Sequence, residues 1–130
     1  MTKEQALYNF WNSFGIQAFE ENSVPTDEEE MPKFPYITYQ VVIDNFENQV
    51  PLTASLWDRD KNGYSALLEN SIKVEEISKA IGRGGTFIPC DGGAIWIKRG
   101  TPFAQNMGDE SDDLIKRKYL NITAEFITAD

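Results

Sequence analysis

The chain contains no histidine and only one cysteine, and both shortages narrow the chemistry that it can support. Histidine is the commonest general base, the usual activator of a nucleophile and a frequent metal ligand, so the side chain that most often performs these tasks is missing. The single cysteine, Cys90, cannot form an internal disulfide or a multi-cysteine metal cluster. We therefore predict a protein that is not an enzyme and that holds no cofactor.

Basic residues and long apolar runs are also scarce. Lys and Arg number 12 against 21 Asp and Glu, for a formal net charge of -9, and binding to a phosphate backbone depends on Lys and Arg replacing counterions. No segment approaches the roughly 18 consecutive apolar residues of a membrane span, and the N-terminus lacks the features of a signal peptide. We therefore expect a cytoplasmic protein with no sequence-specific nucleic-acid partner and no membrane association.

The residues that are present are typical of one globular domain. Hydrophobic residues make up 41% of the chain and aromatic residues 12%, which lies in the range of ordinary folded proteins. A length of 130 residues is enough to bury a core without disulfides or metal, and leaves little room for a second domain. We predict a single domain over residues 1–130.

Two helices are predicted from apolar spacing and end signals. A capping-box pattern that begins at Thr2 precedes apolar residues at helical spacing, which predicts a helix over about residues 3–13 that stops at Gly15. Helix-forming residues with an apolar stripe predict a second, longer helix over about residues 65–81 that stops at Gly82. Both apolar stripes are expected to face the core.

Strands are predicted where apolar and polar residues alternate, and the Asp91-Gly92 pair between two apolar runs predicts a hairpin. The predicted strand segments are residues 16–19, 36–44, 51–58 and 118–128, with the hairpin over about 86–98. Residues 20–35 and 99–113 are predicted to be loops because they are polar and marked by Gly or Pro. The fold class is α+β, with a mostly antiparallel sheet of about four to five strands packed on one face by the N-terminal and the central helix.

One segment, "DRDKNGYSALLE" at residues 58–69, fits the calcium-loop pattern of an EF-hand at each signature position. Calcium prefers carboxylate and carbonyl oxygens, and this spacing would wrap them around one ion, with Gly63 at the sharp turn. The candidate ligands are Asp58, Asp60, Asn62, the Tyr64 carbonyl and the bidentate carboxylate of Glu69.

The surroundings of this segment favour a different interpretation. An EF-hand needs an entering helix, whereas Pro51 and the alternating residues that follow it predict a strand. The chain also has no second calcium loop to pair with the first. Asp, Asn and Gly are common in turns, and Ser65 is a natural helix cap. We favour a turn between a strand and a helix and retain calcium binding as a testable alternative.

Five strings, which together cover most of the chain, resemble in sequence and order a family of small proteins encoded by long-tailed phages and prophages of Gram-positive bacteria. These are the tail-terminator or head-to-tail joining proteins, sometimes labelled minor capsid proteins. The strings are "FWNSFGIQAFEENSVP", "PYITYQV", "PLTASLW", "IGRGGTFIPCDGGAIWIKRGTPFAQNM" and "RKYLNITAEF".

The resemblance implies a compact α+β subunit that assembles, often as a hexameric ring, at the head-proximal end of the tail tube. Its partners would be further copies of itself, the tail tube protein and the head connector proteins. It would be located in the host cytoplasm during assembly and in the virion afterwards. An acidic surface would not grip DNA that passes through such a ring. A small calcium-binding or adaptor protein that captures a host protein is the alternative function.

The two long polar segments are the candidate contact surfaces, because long loops in a compact domain are commonly functional or ordered by partners. Phe103 and Met107 in the second of them are the candidate apolar anchors. Local packing against the core is the other interpretation of these two side chains.

Overall fold

The computed structural model describes residues 1–27, 31–43, 49–59, 64–108 and 114–129, without the side chains of 64–67 and 108. Within these residues the chain forms two α-helices, one short 3-10 turn and six strands. The elements are α1 (Lys3–Trp11), the 3-10 turn (Asn12–Phe14), β1 (Gln17–Glu20), β2 (Tyr36–Tyr39), β3 (Gln49–Arg59), α2 (Tyr64–Ile81), β4 (Thr86–Cys90), β5 (Gly93–Gly108) and β6 (Ile115–Thr128).

All six strands belong to one mixed sheet in the order β1-β2-β3-β6-β5-β4. The β1/β2 pair is parallel and the other four pairs are antiparallel. The prediction of an α+β fold with a mostly antiparallel sheet is therefore confirmed. The sheet has six strands where the sequence predicts four to five, because the short segment β1 and both strands of the hairpin all pair into it.

The segment predicted as a second long loop, residues 99–113, is for the most part a strand. β5 continues to Gly108 and pairs with β6 on both sides of an irregularity between Arg99 and Ala104. The Gly and Pro in this stretch mark a bulge rather than the end of the strand, since extra residues on one strand can bend a ladder without ending it. Residues 109–113 lie outside the described part.

Element boundaries differ from the predicted ones by a few residues. α1 ends at Trp11, and the 3-10 turn carries the chain to Gly15, whose φ of 83° is the left-handed conformation of a helix stop. The strand predicted over 36–44 ends at Tyr39. Ile43 lies beyond this end and is 40% exposed. The alternation of apolar residues therefore continues past the last buried residue of the strand.

The core lies between the two helices and one face of the sheet. Trp11 is 1% exposed and stacks on Tyr39 with ring centroids 6.2 Å apart, while Phe10 meets the Trp11 ring edge-on. These aromatic contacts join α1 to β2, and the prediction that the α1 stripe faces the core is confirmed. The larger fully buried side chains are Leu7, Trp11, Ile37, Leu52, Leu56, Ile77, Ile81, Ile95, Ile97, Leu120, Ile122 and Phe126.

β4 and β5 are joined by the two-residue turn Asp91-Gly92, so the hairpin predicted from this pair is confirmed. Gly92 has a φ of 82°, which the turn requires and which glycine adopts without strain. Asp91 also fixes the start of the chain, because its carboxylate accepts a hydrogen bond from the N-terminal ammonium and its backbone N–H donates to the Met1 carbonyl over 2.7 Å.

Replacement of Gly93 by alanine is expected to destabilise the fold. An added Cβ at this position would lie 2.0 Å from the Ile127 carbonyl oxygen on β6, and relief of such a contact requires a shift of backbone, which typically costs about 1–3 kcal/mol. Chemical denaturation of Gly93→Ala should show this loss. Gly84→Ala is the matched control, because a Cβ there has no atom within 4 Å. Equal stability of the two variants would contradict the close approach of β5 to β6.

Candidate functional site

The face of the sheet opposite the helices carries a row of large side chains brought together by strand register. Tyr36, Trp57, Arg117 and Met107 lie directly opposite one another on β2, β3, β6 and β5. Because side chains alternate between the faces of a strand, all four point away from the buried face that contains Leu56. We call this face, which neither described helix covers, the open face.

A hollow of about 360 Å³ lies on the open face around the Arg117 guanidinium. The aromatic part of its lining is Tyr36, Trp57 and Tyr119, and Thr38, Thr53 and Ser55 supply hydroxyl groups. We call this hollow the arginine groove. Its mixture of rings, hydroxyls and one cation is suited to hold a polar group beside an apolar one.

The Arg117 guanidinium is held in place by three neighbours. Its central carbon lies 4.7 Å from the Trp57 ring centroid and 5.2 Å from the Tyr119 ring centroid, so it sits between two aromatic rings. Its Nε donates a hydrogen bond over 2.9 Å to the Oγ of Ser55, which is 4% exposed. A planar cation fixed in this way presents its two terminal nitrogens in one orientation.

Trp57 is itself fixed from the other side. Its indole Nε1 donates to the Thr38 Oγ1 over 2.9 Å, and its ring stacks on Tyr36 with centroids 6.3 Å apart. The guanidinium and these rings therefore form one continuous stack across β2, β3 and β6, in which each member is oriented by the next.

Arg117 has no carboxylate within ion-pair distance among the residues that the structure describes. Among the described residues of the groove lining the only acidic one is Glu21, which is exposed and makes no such pair with Arg117. In a chain with a net charge of -9, a half-buried arginine without a described carboxylate partner is unusual. A guanidinium binds carboxylates through two parallel hydrogen bonds, so the groove can accept a carboxylate from outside this subunit.

Burial raises the pKa of the Tyr36 phenol above its ordinary value of 10.0. The hydroxyl is protonated at neutral pH, as an ordinary phenol is, and the raised pKa extends its protonated range to higher pH. The protonated form is favoured more in the folded chain than in the unfolded one, so the free energy of unfolding must fall as pH rises above about 10.

Tyr36→Phe is expected to reduce this loss of stability at alkaline pH. The variant has no phenol to ionise at that site, so its stability relative to the original chain should be greater at pH 11 than at pH 8. Denaturant unfolding at both pH values measures the difference. A stability difference that is the same at both values would contradict burial of the Tyr36 hydroxyl.

The structure describes the first and the last predicted ligands of the calcium pattern but not those in its centre. Asp58 is on β3 and 4% exposed, and one of its oxygens accepts a hydrogen bond from the Arg59 N–H over 2.8 Å. Tyr64 is the first residue of α2, and Glu69 is exposed one turn further on. Asp60 and Asn62 lie outside the described residues.

These positions agree with a connection between a strand and a helix. The element that enters the segment is β3 rather than a helix, so the helix-loop-helix arrangement of an EF-hand is not formed on its N-terminal side. Asp58 and Glu69 do line a common hollow of about 240 Å³. The described parts of the chain, however, contain no group of three or more acidic or cysteine side chains able to hold a metal ion.

Addition of calcium is expected to leave the protein's thermal stability unchanged. A ligand stabilises a protein only by binding its folded state, so about 5 mM calcium chloride should move the melting temperature by less than about 1 °C. Differential scanning calorimetry with magnesium chloride at the same ionic strength is the control. A calcium-specific rise that Glu69→Gln abolishes would establish a calcium site after all.

The two predicted interface residues have different surroundings. Phe103, in the bulge of β5, is partly buried and packs against the core. Met107 is 42% exposed and lies directly opposite Arg117 on the open face, but it is not among the described residues that line the arginine groove. The structure thus leaves one of the two candidates exposed opposite the arginine and packs the other against the core.

Glu21 and Val24 of the groove lining belong to segment 20–35, which was predicted as a contact surface, but Arg117 and the aromatic and hydroxyl residues around it were not predicted as a site. The available signal was that outward positions of two predicted strands carry Trp57 and Tyr119, where an exposed strand face usually carries small polar residues. Arg117 adds a cation two residues before Tyr119. What the sequence could not supply was the register that sets Arg117 against Trp57.

Neither a scan against protein-family models nor a search of the curated proteins finds a match to this chain. In the part of the chain that the structure describes, neither helix combines the length and the apolar character needed to cross a membrane.

Proposed function

We propose that this protein is a structural subunit of a phage virion that caps the head-proximal end of the tail tube and joins the tail to the head. The proposal has two supports. The first is the resemblance of the five sequence strings to tail-terminator and head-to-tail joining proteins. The second is the arginine groove, whose fixed cation is of the kind that subunit interfaces contain.

The observation that carries the proposal is the contrast between the two faces of the sheet. One face is buried under α1 and α2, whereas the open face holds an oriented guanidinium over the Trp57 and Tyr119 rings, the Tyr36 ring stacked on Trp57, and the exposed Met107. Arginine, aromatic residues and methionine are enriched at protein interfaces. A surface with this composition is suited to bind another protein subunit.

The proposed partners follow from the role. Copies of the chain would associate into a ring, which is hexameric in the proposal, and the ring would contact the tail tube protein on one side and the head connector proteins on the other. The net charge of -9 is compatible with DNA passing close by without being held. The protein would be made in the host cytoplasm and kept in the virion.

The test is genetic complementation in a phage or prophage that carries this gene. Deletion of the gene is expected to give unjoined heads and tails of irregular length under the electron microscope, and expression of the intact chain should restore joined particles. Expression of Trp57→Ala should restore fewer of them, because loss of the indole leaves Arg117 without one of its two aromatic stacking partners. Lys98→Ala, a substitution on the same face outside the groove, is the control and should restore joined particles as the intact chain does.

Two results would contradict the proposal. Normal joined particles in the deletion strain would exclude a structural role in the virion. Purified virions that lack the protein would favour the alternative of an adaptor that captures a host protein, which predicts a monomer outside the particle. Mass spectrometry of purified virions separates these cases.

A further inference from the structure

The outward side of α2 carries two large apolar side chains that the subunit does not bury. Ile72 is 62% exposed and Leu68 is 49% exposed. They are four residues apart, so they lie next to each other on the helix surface. Exposed isoleucine and leucine in adjacent positions form a small apolar patch on the helix surface.

Acidic side chains surround this apolar pair. Glu69 and Glu75 lie three residues before and three residues after Ile72, and both are exposed. Neither makes an ion pair with another described residue, whereas the nearby Glu76 is already paired with Lys73 at 2.9 Å. We call Leu68, Glu69, Ile72 and Glu75 together the helix knob.

The helix knob and the arginine groove are complementary in charge and in apolar character. The groove offers a fixed guanidinium without a described carboxylate partner, beside the Trp57 ring and the exposed Met107. The knob offers carboxylates without described cationic partners, beside exposed aliphatic groups. Each surface has the chemistry that the other lacks, and both belong to the same chain.

We propose that the helix knob of one copy docks into the arginine groove of a second copy. A carboxylate of Glu69 or Glu75 accepts hydrogen bonds from the terminal nitrogens of Arg117, and Ile72 packs against Trp57 and Met107. This interface rests on the self-association proposed above and specifies which surfaces make it.

The positions of the two surfaces determine the kind of assembly. α2 covers one face of the sheet and the groove lies on the other, so the surfaces are on opposite sides of the subunit. An interface between two different surfaces is heterologous, and repetition of it gives a closed ring or an open filament rather than a twofold dimer. Every subunit within such an assembly uses both surfaces. A subunit in which one surface is damaged can bind one neighbour only, so the assembly stops there.

Two variants test the interface, each with one damaged surface. Arg117→Glu reverses the charge in the groove and leaves the knob intact, and Ile72→Asp removes the apolar centre of the knob and leaves the groove intact. Alone, each variant should be a monomer at concentrations where the original chain assembles. Mixed in equal amounts, the variants should form a one-to-one dimer, because one intact knob meets one intact groove. Sedimentation velocity measures all of these states.

Controls separate loss of the interface from loss of the fold. Lys98→Glu makes the same charge change on the open face outside the groove and should assemble like the original chain. Circular dichroism checks that each variant is folded. If Arg117→Glu is not, Met107→Asp replaces it, because Met107 lies directly opposite Arg117, is exposed and is not among the residues that pack against the core.

Three results would overturn this interface. The first is assembly of either variant alone to the same extent as the original chain, and the second is a mixture that stays monomeric. The third is an original chain that remains monomeric up to about 1 mM, a concentration at which even weak protein contacts form. None of these results bears on whether the protein is required for joined particles, which the deletion strain measures separately.

Discussion

The alternation of side chains along β6 is the constraint on which the rest of the molecule depends. β6 lies inside the sheet and is paired along its length with β3 on one edge and with β5 on the other. Leu120, Ile122 and Phe126 all point to one side and are buried there. A shift of this strand by one residue would exchange its two faces, so the burial of these side chains fixes the register of both neighbours.

The same register that buries the core also builds the opposite face. When Leu56 is placed against the helices, Trp57 must point outward, and its partner on β6 is Arg117. The contact of Arg117 with Ser55 and the stack with Trp57 therefore result from core packing at the neighbouring positions. The groove and the core are two outcomes of one pairing pattern, so a shift in the register of β6 would disturb both.

Local patterns in the sequence predicted the elements whose burial is regular. The capping box at Thr2, the Asp91-Gly92 turn and the alternation from Leu120 to Phe126 each depend on a few neighbouring residues, and the structure has them as predicted. The continuation of β5 past Arg99 is not predicted, because Gly100, Pro102 and the register shift between Arg99 and Ala104 interrupt the alternation that marks a strand.

The site was harder to predict than the fold because it depends on residues that are distant in the chain. Ser55 and Arg117 are 62 positions apart, and only the pairing of β3 with β6 brings them together. The calcium pattern shows the opposite limitation. All of its residues lie within one short segment and are easily found. The element that enters the segment is a strand, however, and an EF-hand requires a helix there.

The bulge in β5 has a consequence for how this protein can change over evolution. Arg99 lies opposite Ile122 and Ala104 lies opposite Leu120, so extra residues of β5 are absorbed between two points that keep the same inward orientation. Changes of length within this bulge can therefore be absorbed without re-registering the strands that build the core.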